Sequence, residues 1–191
     1  MAERGFISRT WHRLTSPSPS WSVLTLVVLG IVVGLVATVG TQVMVAKTGT
    51  VEFCSTACHS MQWVAKEWKA SVHASNPRGV HAGCHDCHLV HDYPRVLFQK
   101  AYNGTKDAIA EMSGVIDTEA KFKKERLRLA KIVWEDYKGK NSSYCRYCHQ
   151  WGPEEVKKQK EYAQPGHLEF LKGNGTCIDC HKGIAHEAPA E

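Results

Sequence analysis

From Leu14 to Ala46 the chain carries no charged residue, and from Trp21 to Ala46 it is built almost wholly of Val, Leu, Ile, Gly, Ala and Thr. Every face of a helix drawn over this stretch is apolar. That excludes a soluble amphipathic helix and predicts a membrane span. Its 26 residues at about 1.5 Å each reach roughly 39 Å, enough for a hydrocarbon core of about 30 Å with some tilt. A cleavable signal peptide has an apolar stretch of only about 7–15 residues, so the segment reads as a retained signal anchor. Gly30 and Gly34 form a GxxxG pair that lets two such helices approach closely, which makes a homo-oligomer or dimer a candidate assembly.

Beyond Lys47 the pattern changes. Residues Arg95 to Met112 read as a helix. Asp117 or Thr118 can cap a second, running to about Tyr137, in which Phe122, Leu129, Ile132 and Val133 are apolar at helical spacing and Lys and Arg fill a solvated face. Residues 152–165, rich in Lys, Glu and Gln, read as a surface loop or short helix. The fold class is mainly α with little regular secondary structure. A cytoplasmic tail (1–20), a transmembrane signal anchor (21–46) and an external domain (47–191) follow in order. Arg4, Arg9 and Arg13 precede the span and only Lys47 closely follows it, so the N-terminus is expected in the cytoplasm and the external domain in the periplasm.

At 191 residues the chain holds one ordinary domain, or a small domain plus an anchor, and a large multidomain enzyme is excluded. The average composition, 43% hydrophobic and 23% charged, conceals the segregation just described. Eight cysteines and eleven histidines are the unusual counts. All eight cysteines fall in four close pairs, each followed at once by histidine: Cys54/Cys58–His59, Cys84/Cys87–His88, Cys145/Cys148–His149 and Cys177/Cys180–His181. The last three are CxxCH, the c-type haem attachment motif, in which two thiols one turn apart bond the two vinyl groups of one porphyrin and the adjacent histidine reaches the iron. Zinc sites or disulfides would use the thiols but leave four adjacent histidines unexplained. Four covalently bound c-type haems are therefore expected, numbered 1 to 4 in chain order. The first pair has one extra residue between its thiols, which must bulge out if both are to meet the same porphyrin.

The pair spacings suggest two dihaem units joined by a linker, the layout of an electron wire. Each haem with one histidine has a sixth position to fill. The other histidines are His12, His73, His81, His85, His91, His167 and His186. His12 lies on the cytoplasmic side, and His85 sits between two thioether cysteines. The remaining five are candidates, and three used as distal ligands would leave one haem open.

Residues Phe53–Cys54 through His59–Ser60–Met61, Ser71–Val72–His73–Ala74–Ser75–Asn76–Pro77, Asp86–Cys87–His88 with His91, and the run Cys177–Ile178–Asp179–Cys180–His181–Lys182–Gly183–Ile184–Ala185–His186 resemble the NapC/NirT family. The resemblance covers nearly the whole chain. It implies a tetrahaem cytochrome anchored in the bacterial inner membrane, which oxidises membrane quinol (menaquinol or ubiquinol) at haem 1 and passes electrons through haems 2–4 to a periplasmic reductase. The simplest partner is a nitrate reductase, in nitrate and other anaerobic respiration; nitrite, trimethylamine N-oxide or another reductase is the alternative.

Residue by residue, the resemblance implies that His73, His167 and His186 are distal ligands completing haems 2, 3 and 4, with His81 and His91 as weaker matches. In NrfH-like members a methionine matching Met61 binds the haem 1 iron in place of the motif histidine, so His59 and Met61 both stand as candidates there. Lys100 and Asp107, seven apart on one helix face, match a Lys and Asp that flank haem 1. Asp107 is then the proton acceptor and Lys100 a hydrogen-bond partner of the quinone oxygen. The competing reading is a passive anchored carrier or dock, with all haems closed. No nucleic-acid partner is expected. Ionised haem propionates lower the formal +5 charge to roughly +1, so a basic surface is a poor guide to the partner.

Overall fold

The uncharged run folds as α1, Val23–Lys47, a 25-residue helix with no buried side chain. Within the helix, Thr38 and Thr41 return their hydroxyls to the carbonyls four residues back, at 2.8 and 2.7 Å, so even these polar groups are satisfied internally. At about 1.5 Å per residue it measures roughly 37 Å, long and apolar enough to cross a membrane. The computed structural model describes residues 5, 6, 8, 9, 11, 12 and 20–189. Arg4 and Arg13 of the basic flank, and most of the tail, lie outside the described residues. The chain divides into two compact units, Met1–Val45 and Ala46–Glu191.

The second unit is a chain of short helices, and the described residues contain no strand. In order these are α2 (Val51–Thr56), a 3₁₀ turn (His59–Met61), α3 (Gln62–Lys69), α4 (Cys84–His88), α5 (Arg95–Met112), α6 (Glu119–Gly139), α7 (Ser143–Cys148), α8 (Pro153–Lys157), α9 (Gln164–Leu171) and α10 (Cys177–Cys180). Helix α5 has the predicted span. Of the two candidate caps for α6 it is Thr118 that acts, its hydroxyl accepting the Lys121 N–H. The polar 152–165 stretch contains α8, opened by Pro153 at its first position. Three attachment motifs form their own single-turn helices, α4, α7 and α10. A helical turn is what brings two thiols three residues apart onto one side.

Little apolar matter holds this unit together. The buried hydrophobic side chains among the described residues are Phe122, Tyr137, Tyr144, Val156 and Ile178. Tyr137, Tyr144 and Ile178 cluster with Val90, Val133 and Trp134 around them, joining α6, α7 and α10. The Tyr137 hydroxyl donates to the Cys87 carbonyl, which ties this cluster to α4. This cluster therefore sits between attachment motifs.

Candidate haem-binding site

The four thiol pairs are not independent in space. Helix α2 packs on α4, and α4 on α7. Cys54 and Cys84 hydrogen-bond each other, and that bond first, with Lys100 assisting against burial, brings the Cys54 thiol down to about 7. Cys145 and Cys177 are hydrogen-bonded likewise, with burial pushing Cys145 up to about 11. Cys87 lies within electrostatic reach of Cys148 and Cys145. The first and second motifs thus adjoin, the third and fourth adjoin, and the second and third connect the pairs. No group of three or more His, Cys, Asp or Glu is gathered as a metal cluster among the described residues.

Three of the four motif histidines each face one of the spare histidines. His88 stands 6.2 Å from His186 between ring centres, His149 stands 6.4 Å from His73, and His181 stands 5.8 Å from His167. Two imidazoles bound to opposite sides of one metal, at about 2 Å each, hold their ring centres roughly 6 Å apart. All three pairs fit one iron between them. The members of each pair come from different parts of the chain, so ordinary helical neighbours cannot account for the spacing.

The surroundings suit ligation. Burial, and then the neighbouring His186, push the His88 imidazole down to about 4, keeping it in the neutral form that binds metals. His149 is lowered by burial, then by His73 and His181. The Gln159 side-chain oxygen accepts a hydrogen bond from His167 Nδ1, which fixes the ring and leaves Nε2 for a metal. Trp151 lies 5.3 Å from His149 and 5.1 Å from His167, bridging the last two pairs.

The remaining histidines are engaged elsewhere. His81 Nδ1 donates to the Ala74 carbonyl. His91 stacks on Tyr147, 3.8 Å between ring centres and 3° between planes, with Nε2 at 3.1 Å from the Asp86 carbonyl. His85 Nε2 lies 3.1 Å from Asp86 Oδ1.

The first motif differs in kind. His59 faces no second histidine. Its Nδ1 meets the Glu111 carboxylate and its Nε2 the Asp117 carbonyl, at 2.9 Å. Both partners are acceptors, so both ring nitrogens are committed as donors. The Asp117 carbonyl holds the imidazole above its usual pKa, and Glu111 adds to this against partial desolvation. The Glu111 carboxylate also accepts the His59 backbone N–H at 3.1 Å and the Ser60 hydroxyl. Met61 follows at the end of the same 3₁₀ turn.

Helix α5 runs its Lys100, Asp107 and Glu111 past this motif. Lys100 donates to Thr48 Oγ1 at 3.0 Å and acts on Cys54, while burial lowers its pKa. Asp107 is 66% exposed, with Lys106 at 3.6 Å. Besides burial, Glu111 and then Asp107 raise the Cys58 thiol, which places both carboxylates near it. Glu111 went unremarked in the sequence, although it sits one turn beyond Asp107 on the face already singled out.

The NapC/NirT cytochrome c family, N-terminal region, is matched by residues 16–191. Cytochrome c-type protein NapC of Escherichia coli (strain K12) is 39% identical over 186 residues, covering 97% of this chain and 92% of that protein. Cytochrome c-type protein TorC of the same organism is 42% identical over 181 residues, covering 95% of this chain but 46% of TorC, so the chain spans about half the length of that relative. A putative tetraheme cytochrome-c type protein of Allochromatium vinosum is 40% identical over 144 residues, 75% of this chain and 77% of that protein. No solved structure matches. Because the match runs through the apolar helix and every attachment motif, this chain belongs to the NapC/NirT family of membrane-anchored c-type cytochromes and carries covalently bound haem.

Proposed function

We propose that the chain is a tetrahaem quinol dehydrogenase, single-pass in the inner membrane with its haem domain in the periplasm, that supplies a periplasmic reductase, a nitrate reductase being the simplest choice. The observation that carries this reading is the asymmetry of the histidines. Three motif histidines have a partner at the spacing of a shared iron, and the first has none. Bound at the four thiol pairs, haems would supply one-electron chemistry, and an iron held by two histidines would be closed to substrate.

The chain's own residues do the rest. Cys54/Cys58, Cys84/Cys87, Cys145/Cys148 and Cys177/Cys180 hold the porphyrins. His88 and His186 would hold haem 2, His149 and His73 haem 3, and His181 and His167 haem 4. At the first motif, His59 offers no lone pair because Glu111 and Asp117 occupy both nitrogens, which favours Met61 as the ligand of haem 1. Asp107 on α5 takes a proton from the quinol hydroxyl, and Lys100 orients its oxygen. Adjacent thiols of neighbouring motifs support a wire ordered 1 to 4.

Electron paramagnetic resonance of the ferric protein tests the ligand set. Three low-spin haems and one high-spin haem are expected, in a protein whose intact mass shows four haems. Four low-spin haems would instead favour the passive carrier. Met61→Ala should alter the high-spin signal alone, whereas His59→Ala should leave a methionine-bound haem 1 in place.

A further inference from the structure

Behind one of the distal histidines lies an ion pair that ligand geometry alone does not require. Glu67 of α3 and Arg126 of α6 meet in a two-pronged contact, Nη1 to Oε1 and Nη2 to Oε2 both at 2.6 Å, with side chains only 15% and 16% exposed. The same carboxylate accepts the Glu187 backbone N–H at 3.1 Å, and Arg126 Nε donates to the Glu187 carbonyl at 3.1 Å. The pair therefore grips both polar groups of the residue next to His186. Glu67 Oε2 also stands 3.9 Å from His186 Nδ1, a buried nitrogen with no hydrogen-bond partner among the described residues, and the Val64 backbone acts on the same ring.

An enclosed ion pair contributes little net stability, because desolvation offsets its attraction, and apolar side chains of similar size would hold two helices as well. Its charge matters where it stands. A carboxylate behind the non-ligating nitrogen of a metal-bound histidine fixes the ring and makes it a stronger donor, which favours the oxidised metal. We propose that Glu67 and Arg126 are positioning residues for haem 2: the pair anchors His186 opposite His88, and the Glu67 carboxylate lowers the potential of that iron while Arg126 opposes it. This rests on the pairing of His186 with His88. Glu67 acts on His186 more strongly than Arg126 does, and the two act with opposite sign.

The test uses the full-length holoprotein, with four haems verified by mass, in redox titrations followed through the low-spin resonance signals. Glu67→Gln should shift one low-spin haem to higher potential and Arg126→Gln should shift the same haem lower, with the other two low-spin haems unmoved. Glu67→Asp, which keeps the charge, should stay near the parent. Each variant is read separately, so poor haem loading of one leaves the sign of the other as the test. Shifts of the same sign in both Gln variants, or no shift in either, would overturn the proposal. His186→Ala separates the two levels of argument. Conversion of one low-spin haem to high spin, with His88→Ala converting that same haem, sustains the ligand pairing even if the clamp fails, and three unchanged low-spin haems would refute the pairing itself.

Discussion

Asp107→Asn should abolish reduction of the haems by a quinol while leaving their reduction by dithionite intact. Quinol gives up two protons with its two electrons, and a positioned base contributes typically 10²–10⁴-fold to such a transfer. Asparagine keeps the shape and loses the base. Asp107 suits the role because it remains exposed on α5, 66% by side-chain area, with only the exposed Lys106 at 3.6 Å as an ion partner, a contact too weak to tie it up. It also acts electrostatically on Cys58, a thiol of the first motif. Lys100→Gln should weaken quinol oxidation without abolishing it, since an amide still donates a hydrogen bond. Anaerobic mixing with a soluble quinol, followed at the haem absorption band, reads both variants. An unchanged rate for Asp107→Asn would remove that residue from the mechanism.

Loss of haem should cost the external domain its fold. Five buried hydrophobic side chains among the described residues, of which Val156 alone is fully enclosed, cannot offset the ordering of a domain of this length. The apolar and coordinating matter that would fill the space between motifs is the porphyrin, as with small domains that fold only around a metal. A chain with all eight cysteines changed to serine should show little helix beyond α1 by circular dichroism and little amide protection in 46–191. A protected, helical haem-free domain would contradict this and require a protein core that Tyr137, Tyr144 and Ile178 do not supply.

What the sequence made legible was local. The apolar run, the capping residue Thr118 and the span Arg95–Met112 are read from neighbours in the chain, and the helices form where those neighbours dictate. The attachment motifs are local as well, since one helical turn sets their chemistry. The distal pairing was not legible. His73 lies before the second motif yet faces the histidine of the third, and His186 lies after the fourth yet faces that of the second. No periodicity encodes such crossings, which arise from how short helices pack. Glu67 and Arg126 were hidden for the same reason: each is an ordinary charged position on its own helix, and only their convergence on Glu187 sets them apart. Nor could spacing decide between His59 and Met61, a choice that turns on Glu111 and the Asp117 carbonyl.

The crossed pairing also bears on how the protein is made. A domain threaded through the membrane from its N-terminal anchor exposes its motifs in order, but haem 2 would not gain its second axial bond until residue 186 emerged, after every motif had been delivered. Haem 3, relying on His73, would find its partner already outside. With His186 closing haem 2 as proposed, maturation would not be a march from first to last: the second site would stay ajar longest, and closing it would tie residue 186 back to residue 88.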